Sequence, residues 1–279
     1  MSTTAPDRAA LIAALSDQWD ALAHLVSGLD AAQWRTPSPL PGWSIFDVLA
    51  HVVGTESMLL GEPLPEVGTD VRGLAHVHNE TGAMNEIWLE ALRPLTGAEL
   101  LQRFTEVTER RRKALAATDD AAWQAEIQSP IGLVTYGRFM RVRLFDCWMH
   151  QLDITDALGG DAAAVGMDEG GARAELAIDE IEPFLGRVVV KRGEAPEGSR
   201  IAIRLTGPVT RELFIQVDGR AEIVAALDRP ADAVISLRSG LFARLCGGRT
   251  EAESHRAEIG IDGDRELGTR VSGHLAFTI

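Results

Sequence analysis

The chain opens with an apolar repeat at helical spacing. Leu11, Leu15, Trp19, Leu22, Val26 and Leu29 recur at steps of three and four residues, so they share one face of a long first helix. The stretch from Arg35 to Trp43, RTPSPLPGW, carries three prolines and a glycine and must be an irregular connector. Ser44 then caps a second helix, with Asp47 three residues on to answer it in a capping box, and the helix is expected to run to about Leu60. Beyond GEPLPEVG the pattern predicts a third helix from about Ala75 to Leu92. A fourth follows from Gly97 to about Ala117, through Leu101, Phe104 and Leu115. In TYGRFMRVRLFDCWMHQLDITDALGG, Phe139, Val142 and Phe145 lie along one face of a further helix that Gly159-Gly160 stops. Four or more helices in this half predict a bundle, assigned to residues 1–160.

The period then changes. One more helix is expected from Asp168 to about Leu185. Alternation follows in IAIRL from Ile201 to Leu205 and in LFIQV, where Leu213, Ile215 and Val217 share a face, and DAVISL from Asp232 to Leu237 is rich in β-formers. SGLFARLCGG, opened by Ser239 and closed by Gly247-Gly248, reads as a short helix, and DRELGTRVSGHLAF as another. Residues 161–279 are therefore expected to form a smaller α/β domain, and the chain as a whole is α+β.

Composition narrows the partners. A formal net charge of -14 opposes binding to nucleic acid or to an anionic membrane surface. No stretch approaches an apolar membrane span, and the N-terminus lacks a basic segment followed by an apolar one. Cys147 and Cys246 are the only cysteines, too few for a disulfide framework, so the expected setting is reduced and cytoplasmic. Positive charge is nearly all arginine, with lysine only at 113 and 191, the usage of a GC-rich genome.

Candidate chemistry gathers on two helices. Asp146 and His150 are four residues apart and project from one helical face, just beyond an apolar stripe that turns them toward the interior. A buried carboxylate demands a partner, which either a divalent metal or a plain Asp–His hydrogen bond would supply. His51, among Val48, Leu49, Val52 and Val53, faces the same interior; alone it reads as a satisfied core histidine. Together, two histidines and one carboxylate make a reasonable zinc set that leaves a coordination position open.

The stretch PGWSIFDVLAHVVG, Pro41 to Gly54, resembles the first signature of the mycothiol-dependent maleylpyruvate isomerase family. RVRLFDCWMHQLDITDALG, Arg141 to Gly159, resembles its late metal helix. The resemblance implies a DinB-like four-helix bundle followed by a sterol-carrier-like α/β domain. It implies His51, Asp146 and His150 as ligands of Zn2+ or another divalent metal, and mycothiol as the thiol. The isomerase that names the family has glutamate where this chain has Asp146, so its substrate transfers less directly. The implied partners are a small-molecule thiol and an electrophilic substrate, handled by cis-trans isomerisation of a maleylpyruvate-like compound or by thiol transfer. A metal-dependent hydrolase of the DinB-like group and a non-catalytic metal- or ligand-binding stress module are the alternatives.

Other residues are weighed beside these. Arg249, in the glycine-flanked LCGGRT, is the candidate cation for an acidic substrate, against an ordinary surface arginine after a helix stop. Asp153, three residues after His150, is placed to orient that ring, against a helix-surface acid. Arg141 and Arg143 read as surface or ion-pair residues. His76 and His78 are two apart, which on a helix would point them apart, so they are set aside as a metal pair. Cys147 reads as a packed core thiol, and Trp43 as a hydrophobic staple for the second helix in preference to a pocket wall.

Overall fold

A computed structural model describes residues 7–159 and 169–277, which form two compact units. The expected boundary between 160 and 161, Gly160 of the helix stop and the proposed helix start at Asp168 lie outside the described residues.

The first unit is helical. Its elements are α1 (Arg8–Val26), α2 (Ile45–Leu59), α3 (Glu80–Leu92), α4 (Gly97–Ala117), the short α5 (Asp120–Gln124), a hairpin of β1 (Glu126–Ser129) and β2 (Gly132–Thr135), and α6 (Tyr136–Ala157). Helix α1 packs on α4 and α6, while α2 packs on α3, α4 and α6. Helices α1, α2, α4 and α6 thus enclose one core, with Trp19, Phe46, Leu49, Phe104 and Trp148 at its centre. Each such side chain contributes roughly 1.5–3 kcal/mol by leaving water. The predicted capping box is present: Ser44 N donates to Asp47 Oδ2 at 2.9 Å and Ser44 Oγ accepts from Asp47 N at 3.4 Å. Thr96 and Glu99 make a second box at the start of α4.

Two boundaries in this unit differ from expectation, and one hairpin was not expected. Leu29 lies beyond the end of α1. Helix α3 starts at Glu80 and not near Ala75, because the Asn79 side chain accepts from Gly82 N at 2.8 Å and caps it there. The hairpin β1–β2 has four-residue arms, too short for alternation to announce them.

Gly54 occupies the middle of α2, where glycine costs about 1 kcal/mol against alanine. A Cβ there would lie 2.6 Å from Trp88 on α3. Gly54→Ala is therefore expected to destabilise despite its better propensity, by a net of about 1 kcal/mol, since overpacking costs about 1–3 kcal/mol. A urea melt with an unchanged or raised midpoint would show that Trp88 moves aside freely.

The second unit contains α7 (Gly171–Lys191), β3 (Arg200–Thr206), β4 (Arg211–Asp218), β5 (Arg220–Val224), β6 (Ala233–Arg238), α8 (Ser239–Cys246), β7 (Gly260–Gly263) and α9 (Arg265–Ser272). Its sheet has the order β5-β4-β3-β6-β7, with β3 parallel to β6 and every other pair antiparallel. Ile203 stands between Leu213 and Ile235, so the alternation read in the sequence becomes one buried face. Helix α7 packs across β4 and β5, and α9 across β6 and β7. Helix α7 continues through Pro183 past the expected end at Leu185, because Val188 and Val189 are buried and carry its apolar face on to Lys191. Ser239 is the first residue of α8 and does not cap it; its Oγ accepts from Val209 N at 3.1 Å. The chain is α+β, and no described helix is long and apolar enough to cross a membrane.

Candidate metal centre

Helices α2 and α6 face each other and bring three side chains together. His51 lies on the buried stripe of α2, two turns beyond its cap. Asp146 and His150 occupy successive turns of α6. Asp146 Oδ2 is 3.3 Å from His51 Nε2, and Asp146 Oδ1 is 3.5 Å from His150 Nε2. One donor atom from each of the three lies within 4.8 Å of the other two. Both histidines are buried, and Asp146, with 32% of its side chain exposed, is the member that solvent reaches.

Electrostatics separate the two rings. Burial holds His51 below the usual imidazole range, although the Asp146 hydrogen bond opposes it. Burial also disfavours charge on His150, but the Asp146 and Asp153 carboxylates outweigh it and raise its pKa to about 9. Asp146 stays ionised: burial works against its charge, yet His150 and Arg143 hold it well below the carboxylate range. His150 Nδ1 is 2.9 Å from the fully buried Asp153 Oδ2. In the neutral ring, a proton on Nδ1 directed at Asp153 leaves the Nε2 lone pair facing Asp146.

Two imidazole nitrogens and a carboxylate oxygen converging at this separation fit a zinc-type ion. The Nδ1 of His51, on the other edge of that ring, is buried with no hydrogen-bond partner among the described residues.

Behind Asp146 lies a buried ion-pair chain that the sequence reading missed. Arg143 donates to Asp146 Oδ2 and, through Nη2 at 2.9 Å, to Glu56 Oε1. Glu56 also accepts from Arg111 Nε at 2.8 Å, and Arg111 Nη1 donates to the Tyr136 hydroxyl at 3.0 Å. Arg143 is thus an ion-pair residue, as one of its two readings had it, but it is interior and touches a candidate ligand. A carboxylate such as Glu56 inside the apolar run of α2 was the available signal, since it implies a buried cation.

The remaining candidates fall as follows. Cys147 is a fully buried core thiol whose pKa burial pushes up. His76 and His78 are not on a helix but in the turn before α3, and His76 Nε2 pairs with Glu86 Oε1 at 2.8 Å. Arg141 is half-buried on α6. Arg249 follows α8 in the second unit, where its Nη1 donates to the Gly247 carbonyl at 2.5 Å. Trp43 is not simply a staple: its ring centroid is 5.3 Å from that of His51 and 6.4 Å from that of His150, and its Nε1 donates to Glu86 Oε1 at 2.6 Å.

A helical bundle with an internal His-Asp-His cluster, followed along the chain by an α/β unit, defines the class. The chain matches the mycothiol maleylpyruvate isomerase N-terminal domain over residues 15–155 and the MDMPI C-terminal domain over residues 175–270. It belongs to the mycothiol-dependent maleylpyruvate isomerase family. Its fold is similar to a crystal structure of the mycothiol-dependent maleylpyruvate isomerase, with a TM-score of 0.59 and 16% identity, over 92% of this chain and 93% of that one. A histidine-to-alanine mutant of that enzyme superposes over the same shares of the two chains, with a TM-score of 0.56 and 15% identity. Two uncharacterised Mycobacterium tuberculosis proteins are each 31% identical over 156 residues, which is 55% of this chain and 58% of theirs. The match thus spans less than two thirds of those relatives.

Proposed function

We propose that this protein is a zinc-dependent enzyme that uses mycothiol on a small electrophile, by cis-trans isomerisation of a maleylpyruvate-like compound or by thiol transfer. The observation that carries the reading is the convergence of His51, Asp146 and His150 within the segment matched to the family's N-terminal domain. A zinc ion held by these three would supply a dication that favours the thiolate form of a thiol beside it.

The chain's own residues prepare that site. Asp153 holds the His150 tautomer, and Arg143 keeps Asp146 ionised and in place from the buried side. The Trp43 indole lies beside both imidazoles, nearer to His51. In isomerisation the thiolate adds to one carbon of the cis double bond, the remaining single bond turns, and elimination breaks the new C–S bond to return the thiolate with the trans product. In transfer the C–S bond persists and the neighbouring carbanion takes up a proton, so that the thiol's S–H has added across the double bond.

The test is a pair of assays on the untagged protein. Turnover of a maleylpyruvate-like substrate is expected to require both added mycothiol and retained metal. Turnover that proceeds equally without thiol would overturn the mycothiol reading.

A further inference from the structure

The two imidazoles of the cluster are oriented by different means. His150 has a hydrogen bond from Nδ1 to Asp153 Oδ2 at 2.9 Å, which sets its tautomer and ring plane. His51 Nδ1 has no hydrogen-bond partner among the described residues, so nothing on that side sets its ring in the same way. Two rings lie against that of His51: His150, edge-on with centroids 4.9 Å apart, and the Trp43 indole, with centroids 5.3 Å apart and planes inclined by 38°.

The indole is itself tied down. Its Nε1 donates to Glu86 Oε1 at 2.6 Å, and Glu86, 1% exposed on α3, is held by His76 Nε2 at 2.8 Å and Arg93 Nη2 at 3.2 Å. The preceding loop is shaped for this contact. Gly42 has φ +81°, and a Cβ there would lie 2.6 Å from His76 Nδ1, so only glycine lets Trp43 and His76 reach one carboxylate.

We propose that Trp43 is a positioning residue for His51 and that Glu86 holds it in that role. Packing against a hydrogen-bonded indole holds the His51 ring plane, the part of Asp153's role toward His150 that does not involve the tautomer. The proposal rests on the metal-site reading for its consequence, zinc affinity, but not for the contact itself.

The experiment has two arms on the full chain. In the first, zinc affinity is read by competition with a chromogenic chelator. Trp43→Phe keeps an aromatic ring but loses the N–H, and Glu86→Ala removes the acceptor. Each is expected to weaken zinc binding about tenfold or more, the usual effect of losing a residue that orients a ligand. Glu86→Gln keeps an acceptor for the indole and is expected to restore affinity. A purely structural role would lower the melting temperature of the variants and leave zinc affinity where it was.

In the second arm, NMR of the metal-free protein is expected to show NOEs between the His51 ring and the Trp43 indole, lost in Glu86→Ala and kept in Glu86→Gln. If the wild type binds no zinc while the NOEs behave this way, the metal reading falls and the positioning stands. NOEs that persist in Glu86→Ala overturn the proposal whether or not zinc binds. Should Glu86→Ala fail to fold, unchanged zinc affinity in Trp43→Phe overturns it equally.

Discussion

Glu56→Leu is expected to cost the helical unit about 3–5 kcal/mol, the range found when one partner of a buried ion pair is removed. Glu56 is fully buried and stands between two buried guanidinium groups, taking Arg111 Nε at 2.8 Å and Arg143 Nε at 3.1 Å. Leucine fills similar space but leaves both arginines with less negative charge than they need in an interior where water cannot replace it. Arg111 would keep the Tyr136 hydroxyl and Arg143 would keep Asp146, which limits the loss without cancelling it. Urea unfolding measures it. A loss below about 1 kcal/mol would place these guanidiniums in a solvated environment, where ion pairs contribute that little. Glu56→Gln keeps one acceptor oxygen but turns an amide NH2 toward the other guanidinium, so it too should destabilise.

The second large effect is on metal content. His51→Ala and His150→Ala are each expected to abolish stoichiometric zinc while leaving a folded chain, because each removes one of three donors. Their stability costs should differ. His51 Nε2 makes a single contact at 3.3 Å to Asp146, and its loss trims a ring from the cluster. His150 also binds the fully buried Asp153, so its removal takes a hydrogen bond from an interior carboxylate and should cost about 1–3 kcal/mol more. Elemental analysis and thermal melts of the two variants separate the effects. Stoichiometric zinc retained in either variant would refute the ligand assignment.

Much of this site was legible because its members obey local rules. Asp146 and His150 sit at helical spacing, His51 lies on a stripe started by a recognisable cap, and helix α4 begins and ends where its pattern said. What escaped depends on pairing between distant elements. Arg111, Glu56 and Arg143 come from three helices, and nothing local links them. Trp43 satisfied the rule for a staple, and only the placement of α3 shows Glu86 drawing its indole onto the histidines. Strand β7 and the hairpin arms, four residues each, were too short to show a period, and β5 buries none of its residues. Helix α7 was expected to end near Leu185, and the buried Val188 and Val189 carry it on to Lys191.

The ends of the five-stranded sheet carry a consequence for behaviour at high concentration. Its outermost strands, β5 and β7, have five and four residues. Strand β5 bears the exposed Arg220 and Glu222. Strand β7 has an acidic residue, Asp262, and is closed by Gly263 at φ +78°, which bends the backbone out of strand geometry. Short, charged edges give an incoming extended chain few consecutive backbone groups to template on. Edge-to-edge growth into fibrous aggregates is therefore disfavoured by how this sheet terminates, even though its central strands β3, β4 and β6 are rich in the β-branched residues that such growth exploits.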